Sequence, residues 1–223
     1  MASCTYSVPD KNASGDNFYG QFICDQVYID YFWDVYGFNG NKNYWDDGFG
    51  WHDPCNTSKP LARTFNACYL LTYSSQDYQD DSWDAPQNIL QWGRRYVREE
   101  FSQLRSFCGD GNAVASYSGG NVMLFLDFWY DYSVVERAAI MVHEARHEAR
   151  SHNASLPAGS VFGDGEFADS RWDYQGAWTF EAGYLWWFYE EGVRTTSAMR
   201  DRARQAGNVI IDNAFETHPG FNI

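Results

Sequence analysis

The segment that most constrains the fold runs from Ser133 to Arg150. Ser133 and Glu136 form an S-x-x-E capping box, the mark of a helix N-terminus. Val135, Ala138, Val142, Ala145 and Ala149 then recur at spacings of three and four, so one stripe of this helix is apolar and has to be covered. Just ahead lies the apolar run Val122 to Trp129, which reads as a buried strand. Behind it come a polar, Gly-containing loop from Ser151 to Arg171 and a second helix from about Tyr174 to Glu191, with Ala177, Phe180, Tyr184 and Phe188 on one face. A last helix covers about Thr196 to Ala206. This order predicts an α+β domain: a small sheet packed on a helical layer, with the capped helix as the floor of a cleft.

Upstream, Pro86 to Cys108 places Ile89, Trp92, Tyr96 and Leu104 at helix-like spacing, and a Gly-rich turn follows from Cys108 to Gly120. Residues 1–85 are rich in Gly, Asn, Asp, Tyr and Trp, with turn signals at Asn39-Gly40 and Asp47-Gly48. They read as turns and short strands with a short helical piece at Phe22 to Tyr36. No repeat and no linker divides the chain, so 1–223 reads as one domain in which 1–85 packs on 86–223. The 10 Trp, 16 Tyr and 16 Phe are a heavy load, suited to a core or a sticky concave surface.

The formal charge is −14, from 30 acidic and 16 basic residues. That field repels nucleic acid, whose binding rests on Lys and Arg neutralising phosphates, and it disfavours anionic membranes. The longest apolar run, Asn121 to Tyr130, contains Asp127 and is too short to span a bilayer. The first residues show neither the basic start nor the apolar middle of a signal peptide. Dispersed cysteines at 4, 24, 55, 68 and 108, and N-x-[ST] triplets at Asn12, Asn56 and Asn153, point to a secreted or periplasmic protein. A cytoplasmic protein is the alternative. Two disulfides and one free thiol are expected.

Within the capped helix, His143-Glu144-Ala145-Arg146-His147 is H-E-x-x-H. Positions i and i+4 share a helical face, so two imidazoles there can bind one Zn²⁺ at about 2.0–2.1 Å, while Glu144 can take a proton from water at an open fourth position. With five His and ten Glu in 223 residues, the pattern arises by chance on the order of once in two hundred such chains. The plain alternative is a solvated face on which His and Glu pair with Arg146 and Arg150.

On these residues the chain resembles the zincin metallopeptidase superfamily, most strongly over residues 121–192. There a strand (Val122 to Phe128), the motif helix and a downstream helix (Gly176 to Glu191) follow the superfamily's order. The HEARH form of the motif, followed by Asp173-Tyr174-Gln175-Gly176-Ala177-Trp178, looks like a group of bacterial zincin-like proteins. The resemblance implies a metal on His143 and His147, Glu144 as general base, and hydrolysis of an amide bond in a peptide or protein substrate. Residues 1–85 take no part in it.

A catalytic zinc takes a third protein ligand, and three residues compete for that place. His152 is five residues past His147, but on a continuing helix it points away from His143. It can bind only if the helix breaks near Ser151. Asp173 partly matches the deuterolysin-type ligand, although as the residue before Tyr174 it is also a natural helix cap. Glu181 resembles the gluzincin ligand on a following helix; turned inward, it needs a partner of some kind.

Tyr174 and Tyr184 are candidates for oxyanion stabilisation, with core packing the better reading for Tyr184. Arg146 and Arg150 suit pairing with Glu, a substrate carboxylate or plain solvent. Trp178, Trp186 and Trp187 are expected between helices, and His52 and His218 in structural roles. The leading expectation is therefore a zinc-dependent hydrolase of peptides. The competing one is a glycan- or protein-binding module, built on the aromatic N-terminal stretch, on a catalytically inactive zincin scaffold.

Overall fold

The computed structural model describes residues 25–38, 49–50, 55–56, 58–80, 82–84, 86–107 and 113–223. Among them are seven α-helices and one three-stranded sheet, in the order α1 (Gln26–Val35), α2 (Pro60–Tyr73), α3 (Ile89–Glu100), β1 (Gln103–Ser106), β2 (Ala115–Ser118), β3 (Asn121–Leu124), α4 (Leu126–Tyr130), α5 (Val134–Arg146), α6 (Ala177–Glu191) and α7 (Ser197–Asn213). A 3-10 turn, Trp172–Tyr174, precedes α6. The expected α+β class holds.

The central element is α5. Its capping box forms at Ser133, whose backbone N–H donates to Glu136 Oε2 at 2.8 Å. Every residue from Val134 to Ala145 is buried, so the helix is covered on all sides and not along one stripe. It packs against α2, α3, α6 and α7, and β2 also rests on it. In the sheet β3 lies between β1 and β2, parallel to β1 with Val122 opposite Leu104, and antiparallel to β2 with Val122 opposite Tyr117. One apolar cluster links Phe32, Phe65, Val97, Leu124, Trp129, Val142 and Phe188.

Several boundaries differ from those expected. The Pro86 to Cys108 helix spans only Ile89–Glu100, with Asn88 accepting from the Gln91 N–H at 3.0 Å. At Phe101 the backbone becomes extended, and Leu104 belongs to β1, where Leu104 and Ser106 face inward. The Val122 to Trp129 run is a strand only as far as Leu124, after which Leu126, Phe128 and Trp129 are buried from a short helix. A short run broken only by Asp127 carries too little period to separate the two. The Gly-rich segment before Gly120 contains β2, closed onto β3 by Gly119 and Gly120 at φ +53° and +79°.

Helix α2 was not expected. It starts with Pro60 in its first turn, where a missing N–H costs nothing, and it is buried all round, so no amphipathic stripe betrays it. Helix α1 falls inside the Phe22 to Tyr36 expectation; the Asn39-Gly40 and Asp47-Gly48 turns lie outside the described residues. Helix α7 runs past Ala206 because Gly207 is a close-packing position, not a stop: a Cβ there would meet Ile223 Cδ1 at 2.3 Å. Among the described residues no helix is long and apolar enough to cross a membrane. Cys68 is a free, buried thiol, while Cys4, Cys24 and Cys108 lie outside the described residues.

Candidate metal centre

The feature that creates the site is the early end of α5. The helix stops at Arg146, and the backbone N–H groups of His147, Glu148 and Ala149 donate to the carbonyls three residues back. This tightened turn releases the chain well before Ser151, where a break was required for His152 to turn inward. The strand-like stretch beyond it pairs Ala154 with Ala168, so the chain reverses across the end of its own helix. His152 thereby returns to the motif. The ring centroids of His143, His147 and His152 stand 4.9, 5.3 and 4.7 Å apart, and one nitrogen from each lies within 4.8 Å of the others.

Each ring commits its Nδ1 elsewhere. His143 Nδ1 is 2.8 Å from Glu181 Oε2, His147 Nδ1 is 3.3 Å from the Arg150 carbonyl oxygen, and His152 Nδ1 is 3.1 Å from Asp169 Oδ1. A carbonyl only accepts, so His147 carries its proton on Nδ1 and keeps a lone pair on Nε2. Carboxylate or carbonyl acceptors behind three imidazoles are the usual outer support of a metal site, fixing tautomer and ring orientation.

The electrostatics agree. Burial first, then repulsion from His152, hold the proton affinity of His143 down to about 3 against an attraction from Asp169. His147 is likewise lowered to about 3 by burial, then by His143 and His152. Both rings are therefore neutral, the form that binds a metal. Burial drives the carboxyls the other way. Glu144 is pushed up to about 8 by burial and then by Glu181, and Glu181 to about 8 by burial and then by Glu136. Glu144 is only 6 % exposed, and its Oε2 has no hydrogen-bond partner.

Helix α6 supplies the facing wall. Glu181, weighed as a metal ligand, instead holds His143 from behind, which answers its need for a partner. Trp178, expected between helices, stands with its ring centroid 4.5 Å from His143 and 5.8 Å from His152, and its Nε1 donates to the Phe167 carbonyl at 2.6 Å. Tyr184 is core, as expected, with its ring tilted against Phe188. Tyr174 donates to the Ser151 carbonyl at 2.8 Å, and Arg146 Nε donates to the Gln175 carbonyl at 2.9 Å, so both fasten the segment before α6 to the end of the motif helix. The Arg150 guanidinium lies over the Tyr174 ring at 5.1 Å.

Asp173 does not join the group. Its side chain is 73 % exposed and accepts from Arg171 Nε at 2.7 Å. The capping work assigned to it falls to Asp169, fully buried four residues earlier, whose Oδ2 accepts from the N–H groups of Trp178 and Thr179 at 3.1 and 3.4 Å. Sequence reading missed Asp169 because caps are sought next to a helix start, and it sits in an irregular loop eight residues before α6. His218 pairs with Asp212 at the surface, and His52 lies outside the described residues. No protein family, no curated protein and no solved structure matches this chain.

Proposed function

We propose that the chain is a zinc-dependent hydrolase of the zincin kind that cleaves peptide bonds. One observation carries the reading: three imidazoles meet at the end of the motif helix, each with its Nδ1 already engaged, next to a buried Glu144 carboxyl with an unpartnered oxygen. His143, His147 and His152 would hold the ion through Nε2. Three nitrogen donors suit zinc and leave one coordination position for chemistry. When bound, the ion supplies Lewis-acid polarisation of a carbonyl and makes water easier to deprotonate.

The protein's own groups do the rest. Glu144 takes the proton of the attacking water as the carbon–oxygen bond forms, then delivers it to the nitrogen as the carbon–nitrogen bond breaks. A carboxyl with raised proton affinity is suited to both halves of that exchange. Glu181, Asp169 and the Arg150 carbonyl keep the three rings from swinging.

The test is elemental analysis of the purified protein followed by assay against a peptide library. Wild type should carry one zinc and cleave. Glu144→Gln should keep the zinc and lose cleavage, and His147→Ala should lose both. Zinc held firmly with no cleavage of any peptide would favour the binding module on an inactive scaffold.

A further inference from the structure

The Asp169 carboxylate touches both halves of this site. Its Oδ1 faces His152 Nδ1 at 3.1 Å, and its Oδ2 accepts from the Trp178 and Thr179 N–H groups at the start of α6. The same helix carries Glu181, the support of His143. The approach is close enough to dictate a neighbour: a Cβ on Gly176 would lie 2.4 Å from both Asp169 oxygens. Gly176 has φ −80°, which any residue can adopt, so room for Asp169, and not backbone strain, accounts for the glycine in the D-x-x-G-A-W element.

We infer that Asp169 is a positioning residue that makes His152 a metal ligand by fixing its tautomer while capping α6. The inference rests on the metal reading of the site. Two acceptors are needed at once, and a carboxylate has them. Facing backbone N–H donors on one side, it can only accept on the other, so the His152 proton stays on Nδ1 and the lone pair on Nε2. An amide in its place has one acceptor and one donor. With its oxygen on the helix cap, its NH₂ faces His152 and drives the ring proton to Nε2, onto the position a metal needs. The arrangement also ties the third ligand to the helix that steadies the first.

The experiment compares zinc affinity, by competition with a chromophoric chelator, for the full chain as wild type, Asp169→Asn, Gly176→Ala, His152→Ala and Asp169→Asn/His152→Ala. Asp169→Asn and Gly176→Ala should each weaken zinc binding about 10- to 100-fold, the usual cost of losing an outer-shell partner. In the His152→Ala background, Asp169→Asn should change affinity by less than about 2-fold, because the two act as one unit. Equal affinity in wild type, Asp169→Asn and Gly176→Ala overturns the inference, as do losses that multiply in the double variant. Wild type that binds no zinc removes the metal reading itself, and this inference with it. Should Asp169→Asn fail to fold, ¹⁵N shifts of the His152 ring in metal-free wild type decide: an Nδ1–H ring supports the assignment and an Nε2–H ring contradicts it.

Discussion

Helices α2 and α5 pack against each other and are buried to the same degree, from Pro60 to Thr72 in one and from Val134 to Ala145 in the other. Two pairs of their buried polar residues differ, Thr64 and Thr72 on α2 against His143 and Glu144 on α5. On α2, Thr64 Oγ1 donates to the Pro60 carbonyl and accepts from Trp129 Nε1, both at 2.9 Å. Thr72 Oγ1 donates to the Cys68 carbonyl at 2.8 Å and pairs with the Tyr36 hydroxyl at 2.7 Å. The last turn of α5 stays open: His143 is fastened through its Nδ1, and Glu144 leaves an oxygen with no partner. An unsatisfied buried group costs about 1–3 kcal/mol, so the two satisfied threonines read as architecture and the open Glu144 oxygen, beside the imidazoles, as a place for chemistry.

Substitutions can sharpen or break that contrast. The largest expected effect is on Glu144→Gln, which should cut kcat/KM for peptide cleavage by about 10²- to 10⁴-fold while leaving thermal stability equal or higher, since a titratable carboxyl no longer has to be buried in an apolar setting. Activity within a few fold of wild type would remove Glu144 from the chemistry. Thr64→Val should do the reverse. It leaves Trp129 Nε1 without its acceptor and should lower stability by about 1–3 kcal/mol in denaturant unfolding, with zinc affinity unchanged. A loss of zinc in that variant would erase the distinction between the two helices.

A subtler expectation concerns pH. The metal-free site is pulled two ways. Glu144 and Glu181, with carboxyls raised to about 8, contribute stability that is fully present below the ordinary value of 4.5 and lost as pH rises through 8. His143 and His147, lowered to about 3, contribute stability that is complete above 6.5 and lost as pH falls. Between pH 6.5 and 8 only the carboxyls among these four still change, so with chelator present the melting temperature should fall across that interval. Zinc favours the ionised carboxyls and should flatten or reverse the slope. Parallel curves with and without zinc would contradict this. The smallest effect belongs to Asp173→Ala, which should shift stability by less than about 0.5 kcal/mol and leave zinc affinity as it is, because the side chain is 73 % exposed.

What could be read from sequence was whatever local chemistry decides. Ser133 and Glu136 announced the start of α5, and the spacing of His143 and His147 announced a shared face. The end of α5 carried no Gly or Pro signal; it is imposed by Tyr174, Arg146 and the Ala154–Ala168 bridge, which hold the reversed chain in place. His152 was therefore one of three candidates with Asp173 and Glu181, while Glu181 in its actual place and Asp169, which was not among them, act through contacts 38 and 17 residues away in sequence. Helix α2 stayed hidden because complete burial erases the polar face that periodicity needs.

The most direct test of the account is X-ray absorption at the zinc edge of protein loaded with one equivalent of zinc. Three imidazole shells with nitrogen at about 2.0–2.1 Å and one further light-atom ligand are predicted. Sulfur scattering, or a shell of oxygens with no imidazole signature, would contradict it.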